Sequence, residues 1–224
     1  MPSPAVYRSP RGLATASTVL LALNGVMAVG SVAVLLYLYT VEPGDDVSLL
    51  VDLFGAGTTT NAGLVLSLAT AVLFLMWLYR ARVNAEVIYP HGHQHARGWA
   101  VGGWFVPLVQ LWFPWQITTD VWKASAPAGE HGIPRPVSAW PVHSWWATIL
   151  LSRLVYFIGA QSLGSEAALH YTDSYRQALL LLIAASLMTL AAAVLAILVV
   201  HRLTAMQEAH AARAWAAWTP PVAA

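Results

Sequence analysis

One acid among tryptophans and basic residues is the feature of this sequence best suited to chemistry. Asp120 lies beside Trp122 and Lys123, in a stretch that carries more than half of the chain's 11 tryptophans. A dry, aromatic setting favours the protonated form of a carboxyl group, which suits a general acid, and aromatic faces stabilise cations. The pattern predicts an enzyme that cyclises a hydrophobic, isoprenoid-type substrate by protonating it, with Asp120 as the catalytic acid.

The predicted binding residues for that substrate are aromatic, amide and basic side chains. They are Trp77, Arg80, Arg82, Asn84, Trp99, Trp104, Gln110, Trp112, Trp115, Trp122, Lys123 and Arg153. The tryptophans would line a pocket, and Arg80, Arg82 and Lys123 would hold a diphosphate or another anionic head group. No cofactor and no metal are expected for this mechanism.

A non-catalytic role explains the same residues equally well. Tryptophans and arginines are typical of the borders of membrane-spanning helices, where they anchor the chain. The alternative prediction is therefore a membrane scaffold, or a protein that binds lipids or a partner.

Composition indicates a membrane protein. Hydrophobic residues make up 58% of the chain and charged residues only 9%, against about 25% charged residues in a soluble domain. The apolar residues are gathered into long runs, whereas a soluble core would scatter them. A net charge of +1 does not indicate nucleic-acid binding, and the lack of cysteine excludes disulfides and thiolate chemistry.

Four segments are apolar and long enough to cross a hydrocarbon core, which takes about 20 helical residues. They are residues 13–39, 62–79, 145–163 and 178–200. The sequence thus predicts an all-α, polytopic membrane helix bundle that forms one integral membrane domain, with a further helix at 201–217. Transport is less favoured, because transporters with inverted repeats have paired interrupted helices.

A fifth apolar segment, residues 99–118, contains Gly102, Gly103, Pro107 and Pro114. Proline interrupts a helix, and lipid leaves the freed backbone groups unpaired. The segment is therefore predicted to be re-entrant or interfacial, and its two glycines permit close approach of backbone.

The distribution of charge predicts the topology. Short cytoplasmic loops are enriched in Lys and Arg. If residues 99–118 do not cross, every basic residue except Arg153 and Arg176 falls on the cytoplasmic side. The outer side then collects Glu42, Asp45, Asp46, Asp52, Glu166 and Asp173. The predicted location is a bacterial cytoplasmic membrane with both termini in the cytoplasm. Membrane lipids and a hydrophobic small molecule are the expected partners, and the oligomeric state is open.

Arg153 falls near the middle of the third predicted span. A charge at that depth costs about 2.5 to 3.5 kcal/mol on insertion scales, so Arg153 is predicted to face the interior of the bundle with a partner. That partner would be an outer-loop carboxylate or a carbonyl group of the broken segment. On a helix, Arg153 shares a face with Trp146, Leu150 and Phe157.

Two further patterns stand near the end of the second span. Trp77, Arg80 and Asn84 share one helix face, while Arg82 and Glu86 are spaced as an i, i+4 ion pair.

Three histidines at alternate positions, His91, His93 and His95, follow the second span. Their spacing is typical of a solvated loop, although three imidazoles also suit zinc or copper.

These motifs together resemble the DUF4328 family of actinobacterial membrane proteins. The resemblance is carried by Gly-Trp-Ala-Val-Gly-Gly-Trp-Phe-Val-Pro at 98–107, Leu-Trp-Phe-Pro at 111–114 and Asp-Val-Trp-Lys-Ala-Ser at 120–125, and it returns more weakly at 200–207. It implies a membrane fold and a motif core of Trp77, Arg80, Asn84, Trp99, Trp104, Pro107, Pro114, Asp120 and Trp122. Gln110 stands where the family pattern has Asn.

Overall fold

The structure, a computed structural model, describes residues 6–40, 61–129, 133–165 and 172–217. The helices of this part of the chain are α1 (Arg11–Thr40), α2 (Asn61–Ile88), α3 (Trp99–Gly102), a 3-10 helix (Val109–Leu111), α4 (Phe113–Ala124), α5 (Trp140–Leu163) and α6 (Thr172–Ala217). These residues contain no β-strand, and one isolated bridge joins Ala128 to Pro134. The predicted all-α class is confirmed.

Four of these helices, α1, α2, α5 and α6, are long and apolar enough to cross a membrane. Each contains one of the four predicted spans, but α2 and α6 continue well past them. The 46 residues of α6 extend over about 69 Å, more than twice the thickness of a hydrocarbon core of about 30 Å. The helix predicted at 201–217 is therefore the continuation of the last span, because good helix formers carry it on without a break.

The chain forms two compact units. The first, here named the motif unit, comprises Met1–Ser17, Leu73–His143 and Leu198–Ala224, and the second, the span unit, comprises Thr18–Val72 and Ser144–Ile197. Every predicted site residue except Arg153 belongs to the motif unit. The prediction of a single membrane domain stays a prediction.

Small and polar residues bring helices of the span unit together, as is common in membrane bundles. Asn24 of α1 donates from Nδ2 to Thr70 Oγ1 of α2 at 2.7 Å. Gly159 of α5 lies so close to α6 that a Cβ atom there would meet Leu181 Cβ at 3.0 Å. The missing side chain of Gly159 is what allows this approach.

Proline residues set the helix ends that surround the predicted site. α2 ends at Ile88, because the residue before Pro90 is disfavoured in helical conformation. α4 begins with Pro114 in its first turn, where a missing N–H does no harm. The loop 89–98 and the segment before α4 are therefore free to fold against the helices.

The predicted interruption of residues 99–118 is confirmed. Val109 donates its backbone N–H to the carbonyl oxygen of Pro107 at 2.8 Å, and Leu108 between them has φ 65° and ψ −54°. This is a three-residue γ-turn with positive φ, which is rare and strained. Phe105 and Leu108 are 72% and 70% exposed, so the turn presents apolar side chains outward. Its position relative to a membrane stays a prediction.

Candidate functional site

Two buried amide side chains, Asn84 of α2 and Gln207 of α6, form the centre of the motif unit. Asn84 Nδ2 donates to Gln207 Oε1 at 3.2 Å. Gln207 Nε2 donates to the carbonyl oxygen of Ala81 at 2.8 Å and to Ser125 Oγ at 3.0 Å. Asn84, Gln207 and Ser125, all fully buried, are named the amide clasp.

Asn84 also binds the backbone just before α1. Its Oδ1 accepts the N–H of Arg8 at 3.0 Å, and its Nδ2 donates to the carbonyl oxygen of Arg8 at 2.8 Å. Both amides of the clasp thus use their two N–H donors and their oxygen, which is what buried amides require. The clasp joins α2, α6, the end of α4 and the N-terminal segment.

Trp77 is an interior packing residue of the motif unit. It is fully buried, and its indole Nε1 donates to Thr204 Oγ1 at 3.1 Å. Thr204 belongs to a buried stripe of α6 that also contains Val200, Leu203 and Gln207, spaced as one face of a helix. The predicted face that includes Trp77 and Asn84 therefore packs against this stripe.

Glu86 joins two arginines in the motif unit. The predicted pair with Arg82 is confirmed at 3.1 Å, and Arg97 reaches both carboxylate oxygens, with Nε at 2.8 Å and Nη2 at 3.1 Å. The hydrogen bonds to Glu86 raise the pKa of the Arg97 guanidinium above its ordinary value. The other outer nitrogen of Arg82 donates to the carbonyl oxygen of His95 at 3.0 Å. Both outer nitrogens of this buried arginine are therefore already bonded.

The predicted acid, Asp120, fastens the loop 89–98 to α4. Its Oδ2 accepts the backbone N–H of Gln94 at 3.2 Å. One turn earlier on α4, Gln116 Oε1 lies 3.1 Å from His95 Nε2, and the His95 ring stacks on Phe113 with centroids 4.1 Å apart. Asp120 is half-buried, and its side chain holds the loop in place.

Two of the three alternating imidazoles contact Tyr89, and the third, His95, contacts Gln116 as described above. His93 Nε2 donates to the carbonyl oxygen of Tyr89 at 3.1 Å, and the His91 ring packs edge-on against the ring of Tyr89. Burial, and next the charge of Arg82, lowers the pKa of His93. Within the described residues, no group of three or more histidine, aspartate or glutamate side chains is placed to hold a metal ion.

Three tryptophans of the motif core pack around two phenylalanines, Phe74 and Phe113. Trp104 lies edge-on to Phe74, whose ring also contacts Trp77, at centroid distances of 5.9 and 5.3 Å. Trp99 lies edge-on to Phe113 at 5.0 Å. A side chain at Gly103 could not fit here, because its Cβ would come within 2.9 Å of the Trp99 carbonyl oxygen. The predicted close approach of backbone is thus found at this glycine.

The other predicted binding residues have diverse surroundings. Trp122 is 3% exposed, and Trp115 Nε1 donates to His143 Nδ1 at 2.7 Å. Trp112, 41% exposed, precedes α4, and Gln110 and Lys123 are exposed.

Arg80 contacts the N-terminal segment. Its Nη1 donates to the carbonyl oxygen of Ser9 at 3.4 Å, next to the backbone that Asn84 binds. This shared contact agrees with the predicted face of Trp77, Arg80 and Asn84.

Glu208 binds the same N-terminal segment from α6. Tyr7 and Ser9 donate their hydroxyl groups to its Oε1 at 3.2 and 2.6 Å, and Arg11 Nε lies 2.9 Å from its Oε2. Burial, and next the negative charge of Glu208, raises the pKa of Tyr7 to about 12. Arg11 is largely exposed, so its ion pair adds little stability.

A cavity of about 650 Å³ lies between the N-terminal segment, the end of α2 and the last turns of α6. Its lining residues are Tyr7, Val87, Ile88, His210, Ala211, Ala214 and Trp215. Two of its polar groups are bonded elsewhere, since the Tyr7 hydroxyl donates to Glu208 and His210 Nε2 donates to the carbonyl oxygen of Ala126. The cavity therefore offers a mainly apolar surface, which the sequence did not predict.

Arg153, the predicted binding residue outside the motif unit, lies on the outer surface of α5. It is exposed, as is Phe157 one turn later at 60%. The prediction that it faces the interior of the bundle is wrong, because α5 turns the face of Gly159 toward Leu181 instead. Of the outer-side acids proposed as partners, those at positions 42, 45, 46, 52 and 166 lie outside the described residues, and Asp173 is exposed in the first turn of α6.

Several residues of this network were not predicted as site residues. They are Ser125, Gln207, Glu208 and Arg97. The weaker return of the family motif at 200–207 was the available signal for Gln207, since it contains Thr204 and Gln207 at helical spacing. Nothing in the local sequence pointed to the contact between Glu208 and the N-terminal segment.

Fold and site together define an all-α protein with four helices suited to crossing a membrane and a motif unit held by buried hydrogen bonds. The chain belongs to the DUF4328 family: the family model, described as a domain of unknown function, matches residues 46–205. The resemblance inferred from the motifs is thus confirmed. No curated protein and no solved structure matches the chain.

Proposed function

We propose that this protein is a non-catalytic scaffold of a bacterial cytoplasmic membrane. Four helices cross the bilayer, and the motif unit serves at the cytoplasmic surface as a fixed platform for a partner. The observation that carries this proposal is the amide clasp. Its family-motif residue Asn84 uses every N–H donor of its side chain within the chain, as buried amides that fix a structure do.

Other motif side chains support the same conclusion. Trp77 and Trp122 are packed in the interior, and both outer nitrogens of Arg82 have partners within the chain. An enzyme pocket keeps a few polar groups directed at its ligand, whereas the Trp77 indole N–H and both outer nitrogens of Arg82 bind other groups of the chain. The buried Trp122 indole N–H has no hydrogen-bond partner within the described residues. The predicted cyclisation enzyme stays a prediction, and it requires Asp120 to reach a substrate while its Oδ2 accepts the Gln94 N–H.

The membrane placement rests on length, composition and charge. α1, α2, α5 and α6 are apolar enough to span, and nearly all basic residues fall on the side that holds both predicted termini, as cytoplasmic loops do. The exposed apolar turn at Leu108 would dip into the bilayer from that side, with membrane lipids as its surroundings. The carbonyl groups of Val106, Pro107 and Leu108 accept backbone N–H groups within the turn, which lowers the cost of such a dip in lipid.

The test compares lipid extracts of cells that produce the wild-type protein, the Asp120→Asn variant, or neither. Asparagine keeps a side-chain oxygen that accepts the Gln94 N–H, so the fold is retained while the acid is lost. The control variant is Asp173→Asn, which makes the same change at an exposed carboxylate in the first turn of α6. Mass spectrometry then compares the isoprenoid profiles of all four kinds of cell.

A scaffold predicts the same lipid profile in all of these cells. A lipid that appears with the wild-type protein and disappears with Asp120→Asn, but not with Asp173→Asn, would establish the enzyme and overturn the scaffold.

A further inference from the structure

Arg153 is an exposed cation on an apolar outer face of α5. The helix runs from Trp140 to Leu163, so Arg153 lies within two residues of its middle. Around it, Leu150, Leu154 and Phe157 are 36%, 55% and 60% exposed. The exposed apolar side chains suit a helix in lipid, but an exposed cation among them does not.

Lipid alone does not satisfy the guanidinium at this depth. Ten residues separate Arg153 from the end of α5 at Leu163, which is about 15 Å along the helix axis. Long basic side chains reach the interface from positions near helix ends, while those at mid-depth pair with other groups. The Arg153 guanidinium therefore requires a hydrogen-bond acceptor at the same depth in the bilayer.

A second copy of this chain does not supply a carboxylate there. The ten acidic residues are Glu42, Asp45, Asp46, Asp52, Glu86, Asp120, Glu130, Glu166, Asp173 and Glu208. All lie outside the four predicted spans, and a symmetric pair would bring Arg153 against apolar residues or against another Arg153. The complementary group must come from a different protein.

We propose that the outer face of α5 around Arg153 binds a transmembrane helix of another protein that carries an aspartate or glutamate near the bilayer centre. Leu150, Leu154 and Phe157 pack against the apolar residues of that helix, and the carboxylate accepts hydrogen bonds from the guanidinium, which has the geometry for a two-pronged contact. This inference rests on the proposed membrane scaffold and names the kind of partner it holds.

The test places a photo-crosslinking amino acid at Phe157 of the full chain in membranes of its native cells. Crosslinked products are compared between chains with Arg153, with Arg153→Leu, and with the control Arg176→Leu, which removes an arginine near the start of α6. We expect a crosslinked protein with an acidic residue in a transmembrane segment. Its yield should fall at least tenfold in Arg153→Leu and stay unchanged in Arg176→Leu.

A reciprocal exchange makes the test specific. Arg153→Asp should abolish the crosslink, and replacing the acid of the captured protein by arginine should then restore it. A second measurement uses phosphatidylcholine vesicles and a synthetic leucine–alanine helix with one central aspartate. Energy transfer to the labelled chain should exceed that of the asparagine version at least tenfold, and Arg153→Leu should remove the difference.

Three results would overturn the inference: crosslinks to lipid alone, crosslinks to a second copy of this chain, or equal yields with Arg153→Leu. These outcomes are separate from a failure of the scaffold itself, which the lipid profile of Asp120→Asn reports independently.

Discussion

Replacing Asn84 by alanine should destabilise the motif unit more than any exposed amide substitution. The change removes three hydrogen bonds, two with the backbone of Arg8 and one with Gln207. At about 1 kcal/mol for each bond, the expected loss is about 3 kcal/mol. For a chain of this length, such a loss lowers the melting temperature by roughly 6 to 12 °C.

The same arithmetic predicts how two substitutions combine. Gln207→Ala also removes three bonds, one of which it shares with Asn84→Ala. The double variant should therefore lose about 5 kcal/mol, where independent sites would lose about 6, so the coupling is about 1 kcal/mol.

Unfolding of the purified protein in detergent, followed by tryptophan fluorescence, measures both quantities. Gln110→Ala is the matched control, because it removes an exposed amide and should change the melting temperature by less than about 2 °C. Equal shifts of the melting temperature for Asn84→Ala and Gln110→Ala would show that the hydrogen bonds of Asn84 do not stabilise the motif unit. Full additivity of Asn84→Ala and Gln207→Ala would show that the two amides are not coupled.

Three further outcomes follow from other parts of the structure. Gly103→Ala should lower the melting temperature by several degrees, because its Cβ meets the Trp99 carbonyl oxygen at 2.9 Å, whereas Gly102→Ala has its nearest contact at 3.9 Å and should be tolerated. Burial and the charge of Glu208 raise the folded-state pKa of Tyr7 to about 12, so its stabilising contribution is complete below about pH 10 and is lost as the pH rises toward about 12. Tyr7→Phe should therefore flatten the loss of melting temperature between about pH 10 and 12. The chain has no cysteine, so a single introduced cysteine reports the membrane topology of its own position. A water-soluble maleimide should label Lys123→Cys from the cytoplasmic side and leave Leu108→Cys unlabelled. Labelling of Lys123→Cys from outside would contradict the re-entrant segment.

Hydrophobic length predicted the number and position of the long helices, because lipid requires long apolar runs and loops interrupt them. It did not predict where α2 ends. The last turns of that helix carry Arg80, Arg82, Asn84 and Glu86, which lower the hydropathy but are held in helical form by partners elsewhere in the motif unit. Helix ends of this kind depend on tertiary contacts that a local pattern does not contain.

The surroundings of individual side chains were harder to predict. The i, i+4 spacing of Arg82 and Glu86 was sufficient to predict their ion pair, because both partners lie on one helix. The role of Asn84 depends on Gln207 and Arg8, which are more than 70 residues away in each direction. For Arg153, helical spacing identified the residues that share its face, but apolar neighbours such as Phe157 suit a helix interface and lipid equally well. The local sequence therefore did not show whether the helix face that carries Arg153 points into the bundle or outward.

The bonds that close the motif unit have a consequence for how the chain is made. Tyr7 and Ser9 form hydrogen bonds with Glu208, which lies about 200 residues later in the sequence. Asn84 forms one with Gln207, which lies 123 residues later. Since a ribosome delivers the N-terminal segment first, it and the Asn84 amide must stay hydrated, or be held by an insertion factor, until α6 has emerged. A nascent chain that stops before position 207 lacks both the bond from Asn84 to Gln207 and the contacts of the N-terminal segment with Glu208. Quality-control proteases can therefore distinguish unfinished from completed molecules by these unpaired polar groups.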